Sequence, residues 1–140
     1  YHGILYFVGN HANWTEINAW LKYLEKESER WKQYLKVYFV YGNDQEYTPQ
    51  KRRSQLEKLG TALDLKNVAL TFVPSFSDKT SEAYLNKINP NVQNTFIIFK
   101  HRSIVGKFID LPPTKENFKR LIDALDKSQG EHFGLEEVRN

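Results

Sequence analysis

An α/β fold, a three-layer α/β/α sandwich with a mixed sheet in the middle, is what this sequence predicts, and three observations carry it. Short apolar runs rich in β-branched and aromatic residues alternate with longer segments whose apolar residues recur every three or four positions. That alternation occurs three times in succession, which calls for parallel strands joined by right-handed crossovers. Near the end, two strand-like runs are joined only by His101-Arg102-Ser103, too few residues for a parallel crossover, so the sheet gains an antiparallel edge. The predicted order is β-α-β-α-β-α-β-β-α, with helices on both faces.

Each element has its own local reason. Ile4–Val8 is a continuous apolar run between Gly3 and Gly9, as expected of a strand buried on both faces. Asn13 and Glu16 form a box-like helix start, and Trp14, Ile17, Leu21, Leu24, Trp31 and Leu35 mark a stripe lasting to about Tyr34, broken only at Ser28. Leu35–Tyr41 is the second strand, ended by Gly42-Asn43-Asp44. Thr48-Pro49 opens a second helix, since proline at the first helical position lacks an amide that has no partner there. Leu56, Leu59 and Leu63 form its buried stripe, and Gly60 weakens it. Val68–Val73 is a third strand stopped by Pro74, and Asp78–Ile88 a short helix with Tyr84, Leu85 and Ile88 inward. Thr95–Lys100 and Ile104–Ile109 form the hairpin, and Thr114 starts a last helix with Phe118, Leu121, Ile122 and Leu125 facing the core. The chain reads as one domain, 1–128, followed by a polar tail, 129–140.

Composition narrows the function classes. At 40% hydrophobic and 26% charged, the 140 residues fall in the ordinary globular range rather than the disordered one. No apolar run approaches the ~20 residues of a membrane span, so membrane insertion of this segment is not expected. The 20 basic and 17 acidic side chains nearly cancel. Lys51-Arg52-Arg53 is the tight basic cluster and reads as a solvated helix face, so no nucleic-acid partner is expected. Cysteine is absent, which removes disulfides, thiolate nucleophiles and Cys-ligated metals. His2, His11, His101 and His132 are scattered without metal-ligand spacing, and neither a Walker sequence nor a Gly-x-Gly-x-x-Gly is present, so no metal and no cofactor is expected. Tyr1 is not a methionine, so the chain is expected to continue a longer polypeptide, with any targeting signal upstream.

The order of elements resembles the thioredoxin-like superfamily, in particular the extended type of TlpA-like thiol–disulfide reductases and peroxiredoxins. Ile4–Val8 feeds a turn and a long helix where that family places its Cys-x-x-C. Val37–Val73 is similar to the strand–helix–strand insertion of the extended type. The segment from Val92 to Lys100, Val-Gln-Asn-Thr-Phe-Ile-Ile-Phe-Lys, followed by Ser103–Phe108, is similar to the family pattern Val-x-x-Pro-Thr-Thr-Phe-Leu-Ile that leads through a cis-proline loop into the terminal hairpin. The match spans residues 4–127.

The departures bear on function. The family's cysteine is activated by a helix N-terminus, whereas Gly9-Asn10-His11-Ala12-Asn13-Trp14 here holds no thiol. Asn94 stands where the loop proline would be, and the cost of a non-proline cis bond, about 2.5–4 kcal/mol, predicts a trans peptide. Dithiol and peroxidatic thiol chemistry are excluded. What the resemblance leaves is a cleft formed by Asn10, His11, Ala12, Asn13 and Trp14 on one side and Gln93, Asn94 and Thr95 on the other.

Two readings of that cleft stay open. One is a redox-inactive binding or structural module that holds a protein or peptide, or another domain of the same chain, through backbone bonds at 93–95 with Trp14 and Phe96 as apolar neighbours. The other is an enzyme with non-thiol chemistry, His11 acting as base, or a small-anion or nucleotide site at the Gly9–Trp14 helix N-terminus. Against the second stands a plain loop histidine. Trp20, Tyr23 and Tyr34 lie off the first helix's stripe and serve either core packing or an apolar docking patch. Asn13-Trp14-Thr15 also fits the N-glycosylation pattern. A periplasmic or envelope location is implied by the resemblance alone.

Overall fold

The computed structural model describes residues 2–31, 34–77, 87–101 and 103–129. Strand β1 (His2–Val8) lies at the centre of a five-stranded sheet. On one side β2 (Leu35–Tyr41) and then β3 (Val68–Phe72) run parallel to it. On the other side β4 (Thr95–Lys100) and then β5 (Ser103–Ile109) run antiparallel, each to its neighbour. The sheet is mixed and the class is α/β, as the sequence predicts. Helix α1 (Trp14–Trp31) follows β1, α2 (Pro49–Ala62) follows β2 and α3 (Lys115–Gln129) follows β5.

Alternation along the strands divides the core in two. Ile4, Tyr6 and Val8, with Val37, Phe39, Tyr41, Phe96 and Ile98, share one cluster with Ile17, Trp20, Leu21 and Leu24 of α1, Leu56 of α2 and Leu121 and Leu125 of α3. All three described helices therefore pack on one face. Phe7 and Ile97 point to the other, where Phe76 and Ile88 cover them. This explains the unbroken apolar run at Ile4–Val8, because both of its faces are buried.

The described structure has one element fewer than the predicted order. The expected helix at Asp78–Ile88 falls largely on 78–86, outside the described residues. Its last two positions are not helical: Lys87 has φ 56° and Ile88 lies in a loop, its side chain buried against Phe7 and Ile97. The last helix runs through Gln129, and 130–140, with His132, lie outside the described residues.

Three local expectations resolve in physical terms. Trp20 is fully buried, its ring 4.5 Å from Phe96 and 4.8 Å from Phe118, while Tyr23 stacks on Phe118 at 4.1 Å. Helix α1 is packed by both the sheet and α3, so it buries two stripes; Tyr34, past its end, is exposed. Thr48 caps α2, its Oγ1 accepting from the Lys51 amide at 3.3 Å, with Pro49 in the first turn. Arg52 contradicts the solvated-face reading of the basic cluster: it is 5% exposed. It sits one helical step before Leu56, on the same buried stripe as Leu56 and Leu59.

Candidate functional site

The predicted cleft lies where β1 ends. Gly9 closes the strand with no side chain because the backbone of Pro90 stands 2.8 Å from where a Cβ would be. That close approach lets the Asn10 amide donate to the Pro90 carbonyl at 2.9 Å. Asn10 Oδ1 in turn accepts from the Asp44 amide at 3.1 Å. One side chain and its own amide thus join the turn after β1, the loop before β4 and the loop after β2.

The rest of the turn is spent on the helix start. Asn13 Oδ1 accepts from the Glu16 amide at 3.2 Å, and the Asn13 carbonyl takes the Ile17 amide at 2.9 Å. Ala12 packs against the core. Trp14 meets the Tyr41 ring edge-on, centroids 5.3 Å apart. His11 is exposed and has no hydrogen-bond partner among the described residues, so nothing orients it as a base.

The other half of the cleft is occupied by its own fastenings. The Gln93 amide donates to Asp110 Oδ1 at 2.6 Å. Asn94 is buried: its Nδ2 donates to the Leu111 carbonyl and its Oδ1 accepts from the Leu111 amide, both at 2.9 Å. The same Leu111 carbonyl also accepts from Trp20 Nε1 at 2.9 Å. Thr95 is buried in the ladder between Phe7 and Ile109. Phe96 is not available as an apolar neighbour for a partner, since it lies fully buried and stacked on Tyr6 at 4.5 Å. No cis peptide occurs among the described residues, so the bonds flanking Asn94 are trans. The structure therefore brings all eight residues to one end of the sheet, with the Asn94 half sealed.

What the sequence reading missed lies beside the open half. An open cavity of about 490 Å³ borders the loop after β2, lined by Tyr41, Asn43, Lys51, Arg52 and Gln55, with Glu46 among its walls. Arg52 Nη1 donates to the Asn43 carbonyl at 3.0 Å and Nη2 to the Gln45 carbonyl at 3.4 Å. Its guanidinium lies 4.4 Å from the Tyr41 ring centroid and 5.6 Å from that of Tyr47. The loop is braced within itself, Asn43 Oδ1 accepting from the Gln45 amide at 2.9 Å and Asn43 Nδ2 donating to the Tyr41 hydroxyl at 3.1 Å. Stripe position was the signal available: Arg52, Leu56, Leu59 and Leu63 follow one another at four, three and four residues.

At the far end of β1 the electrostatics are different in kind. His2 lies opposite Lys100 in the ladder, and both are buried. Burial, and then the Lys100 charge, push the His2 imidazole down to about 4, so it is neutral near pH 7. Glu25 of α1 faces the start of β3; burial alone would raise its pKa, yet the amides of Val68 and Asn67 and the Asn67 side chain hold it below the usual carboxylate value. Both are structural groups remote from the cleft.

Among the described residues no three His, Asp or Glu side chains gather as a metal site would need, and no helix is long and apolar enough to cross a membrane. No protein-family model matches the chain, and no curated protein matches it.

Proposed function

We propose that this chain is a redox-inactive thioredoxin-like domain, layered α/β/α, that works by holding a protein or peptide segment at the end of the sheet where β1 and β2 finish. One observation carries the reading: at the position where the family it resembles keeps its reactive groups, this chain has amide side chains that fasten loops. Asn10, Asn13 and Asn94 each spend their side chain on backbone groups. With no sulfur nucleophile in the sequence, neither disulfide exchange nor thiol-based peroxide reduction can occur.

The sheet order supports the family reading. The β2–α2–β3 unit lies on one side of β1 with β3 at the sheet edge, and the β4–β5 hairpin with α3 flanks β1 on the other side. The open half of the cleft, Trp14 on Tyr41 next to the 43–47 loop, is where an extended segment is received. The partner is a separate protein or another domain of the same polypeptide. Service in the bacterial periplasm or cell envelope is part of the proposal and rests on the resemblance alone.

Position-specific photo-cross-linking tests it. A photo-reactive residue at position 11 is expected to yield one dominant partner in cells, whereas the same residue at exposed position 119 on α3 yields none. Equal yields from both sites, or none from either, would contradict the reading, as would measurable insulin reduction.

A further inference from the structure

Arg52 stands out among the described residues for how its charge is held. It is a charged side chain buried to 5% exposure, and no carboxylate lies within ion-pair distance of it among the described residues. Buried charges are ordinarily paired, because removal from water is costly. Here two main-chain carbonyls and two tyrosine rings hold the guanidinium in place without neutralising it. A guanidinium carries five N–H groups, and two are used, so donors remain for an oxyanion.

We infer that the cavity beside Arg52 is a carboxylate-binding site that anchors the held peptide by its C-terminal or acidic side-chain carboxylate; this rests on the peptide-holding reading above. Size and charge both point to that ligand. About 490 Å³ suits a small head group with its adjoining chain rather than a folded surface. Lys51 and Arg52 face a single acidic wall residue, Glu46, so one positive charge is left to balance. A carboxylate matches it, whereas a phosphate dianion does not. Helix α2 has no acidic residue in its first turn, so its positive end is uncompensated next to the cavity. Tyr41 connects the cavity to the cleft, touching Trp14 on one side and Arg52 on the other.

The test is an NMR titration of the 15N-labelled chain with four probes: N-acetyl-Gly-Gly with a free carboxylate, an amidated N-acetyl-Gly-Asp-Gly, the uncharged N-acetyl-Gly-Gly-amide, and inorganic phosphate. A saturable shift of the Arg52 Nε–H and of the 43–47 amides is expected with one or both carboxylate probes, and the stronger of the two identifies the source. The amide control stays silent and phosphate binds at least tenfold more weakly. Arg52→Gln weakens carboxylate binding at least tenfold, Lys51→Gln about threefold, and Arg53→Gln, on the exposed side of α2, leaves it unchanged. If Arg52→Gln does not fold, the wild-type titration and Lys51→Gln decide. Silence with both carboxylates, equal binding of phosphate, or unchanged affinity in a folded Arg52→Gln would overturn the inference. Cross-linking from position 11 that persists while both carboxylates are silent removes this inference and leaves the holding function; carboxylate shifts without cross-linking do the reverse.

Discussion

Asn94 and Arg52 stand at the same end of one sheet and use buried polarity in opposite ways. Asn94 is neutral, and both of its amide atoms are paired with the backbone of Leu111, which also receives Trp20. It ties the start of β4 to the entry of α3 and, being buried, is closed to a partner. Arg52 is nearly as deep, but its charge meets carbonyl dipoles and ring faces instead of an anion. A fully paired neutral group contributes to stability, whereas a buried unbalanced charge contributes little or costs it. One half of this end is sealed by groups that hold the chain together, and the other keeps N–H donors on which the proposed binding rests.

The largest way to break the comparison is Asn94→Ala. It leaves the Leu111 amide without a partner in a buried place and removes one of two donors to its carbonyl. A loss of about 2–4 kcal/mol in urea unfolding is expected, about one to three for the buried amide left unpaired and about one for the second hydrogen bond removed. A change below about 0.5 kcal/mol would mean that the sealed half is not what holds β4 to the α3 entry.

Next in size is a pH effect at the remote end of β1. The folded pKa of His2 is about 4, below its unfolded value of 6.5, so between those values the unfolded chain binds the extra proton. Stability therefore falls as pH drops from 6.5 toward 4, by up to about 3 kcal/mol by linkage. Lys100 and His101, which bear on the same imidazole, both push its pKa down and so act in the same direction as burial. Glu25 adds its own loss only as pH falls through the carboxylate range, because its folded pKa is lowered. His2→Gln flattens the 6.5-to-4 limb of urea midpoints and leaves the more acidic limb; an unchanged profile would place the titration elsewhere.

The smallest stability change is expected where the functional change is greatest. Arg52→Met exchanges two carbonyl hydrogen bonds for relief from burying a charge, so its unfolding free energy stays within about 1 kcal/mol of the parent. A loss above about 3 kcal/mol would make Arg52 a structural pin like Asn94 and erase the contrast.

Much of this was legible in the sequence, for reasons that are themselves local. Leu35–Tyr41 and Thr95–Lys100 were readable to the residue because each is an uninterrupted β-branched and aromatic run between turn formers. Thr48-Pro49 was readable because capping depends on neighbours in sequence. Asn94 was marked as a cleft residue, yet its role was hidden, since Leu111 lies 17 residues away and the fold alone brings them together. Trp20 was offered for core packing and is buried, but its hydrogen bond to the same carbonyl spans 91 residues and had no signal in the stripe of α1. Arg52 was obscured differently: the run Lys51-Arg52-Arg53 reads as surface charge, and the stripe through Leu56 and Leu59 that places it inward was outweighed by its chemistry.

Native-state hydrogen exchange, run with and without N-acetyl-Gly-Gly, tests the contrast most directly. The Leu111 amide, bonded to Asn94 Oδ1, is expected to exchange only through global unfolding and to be indifferent to the ligand. The amides of the exposed residues Asp44 and Gln45, bonded to the Asn10 and Asn43 side chains, are expected to exchange through local opening and to slow at least tenfold when the carboxylate is added. Fast local exchange at Leu111, or ligand protection there with none at Asp44 and Gln45, would contradict that contrast.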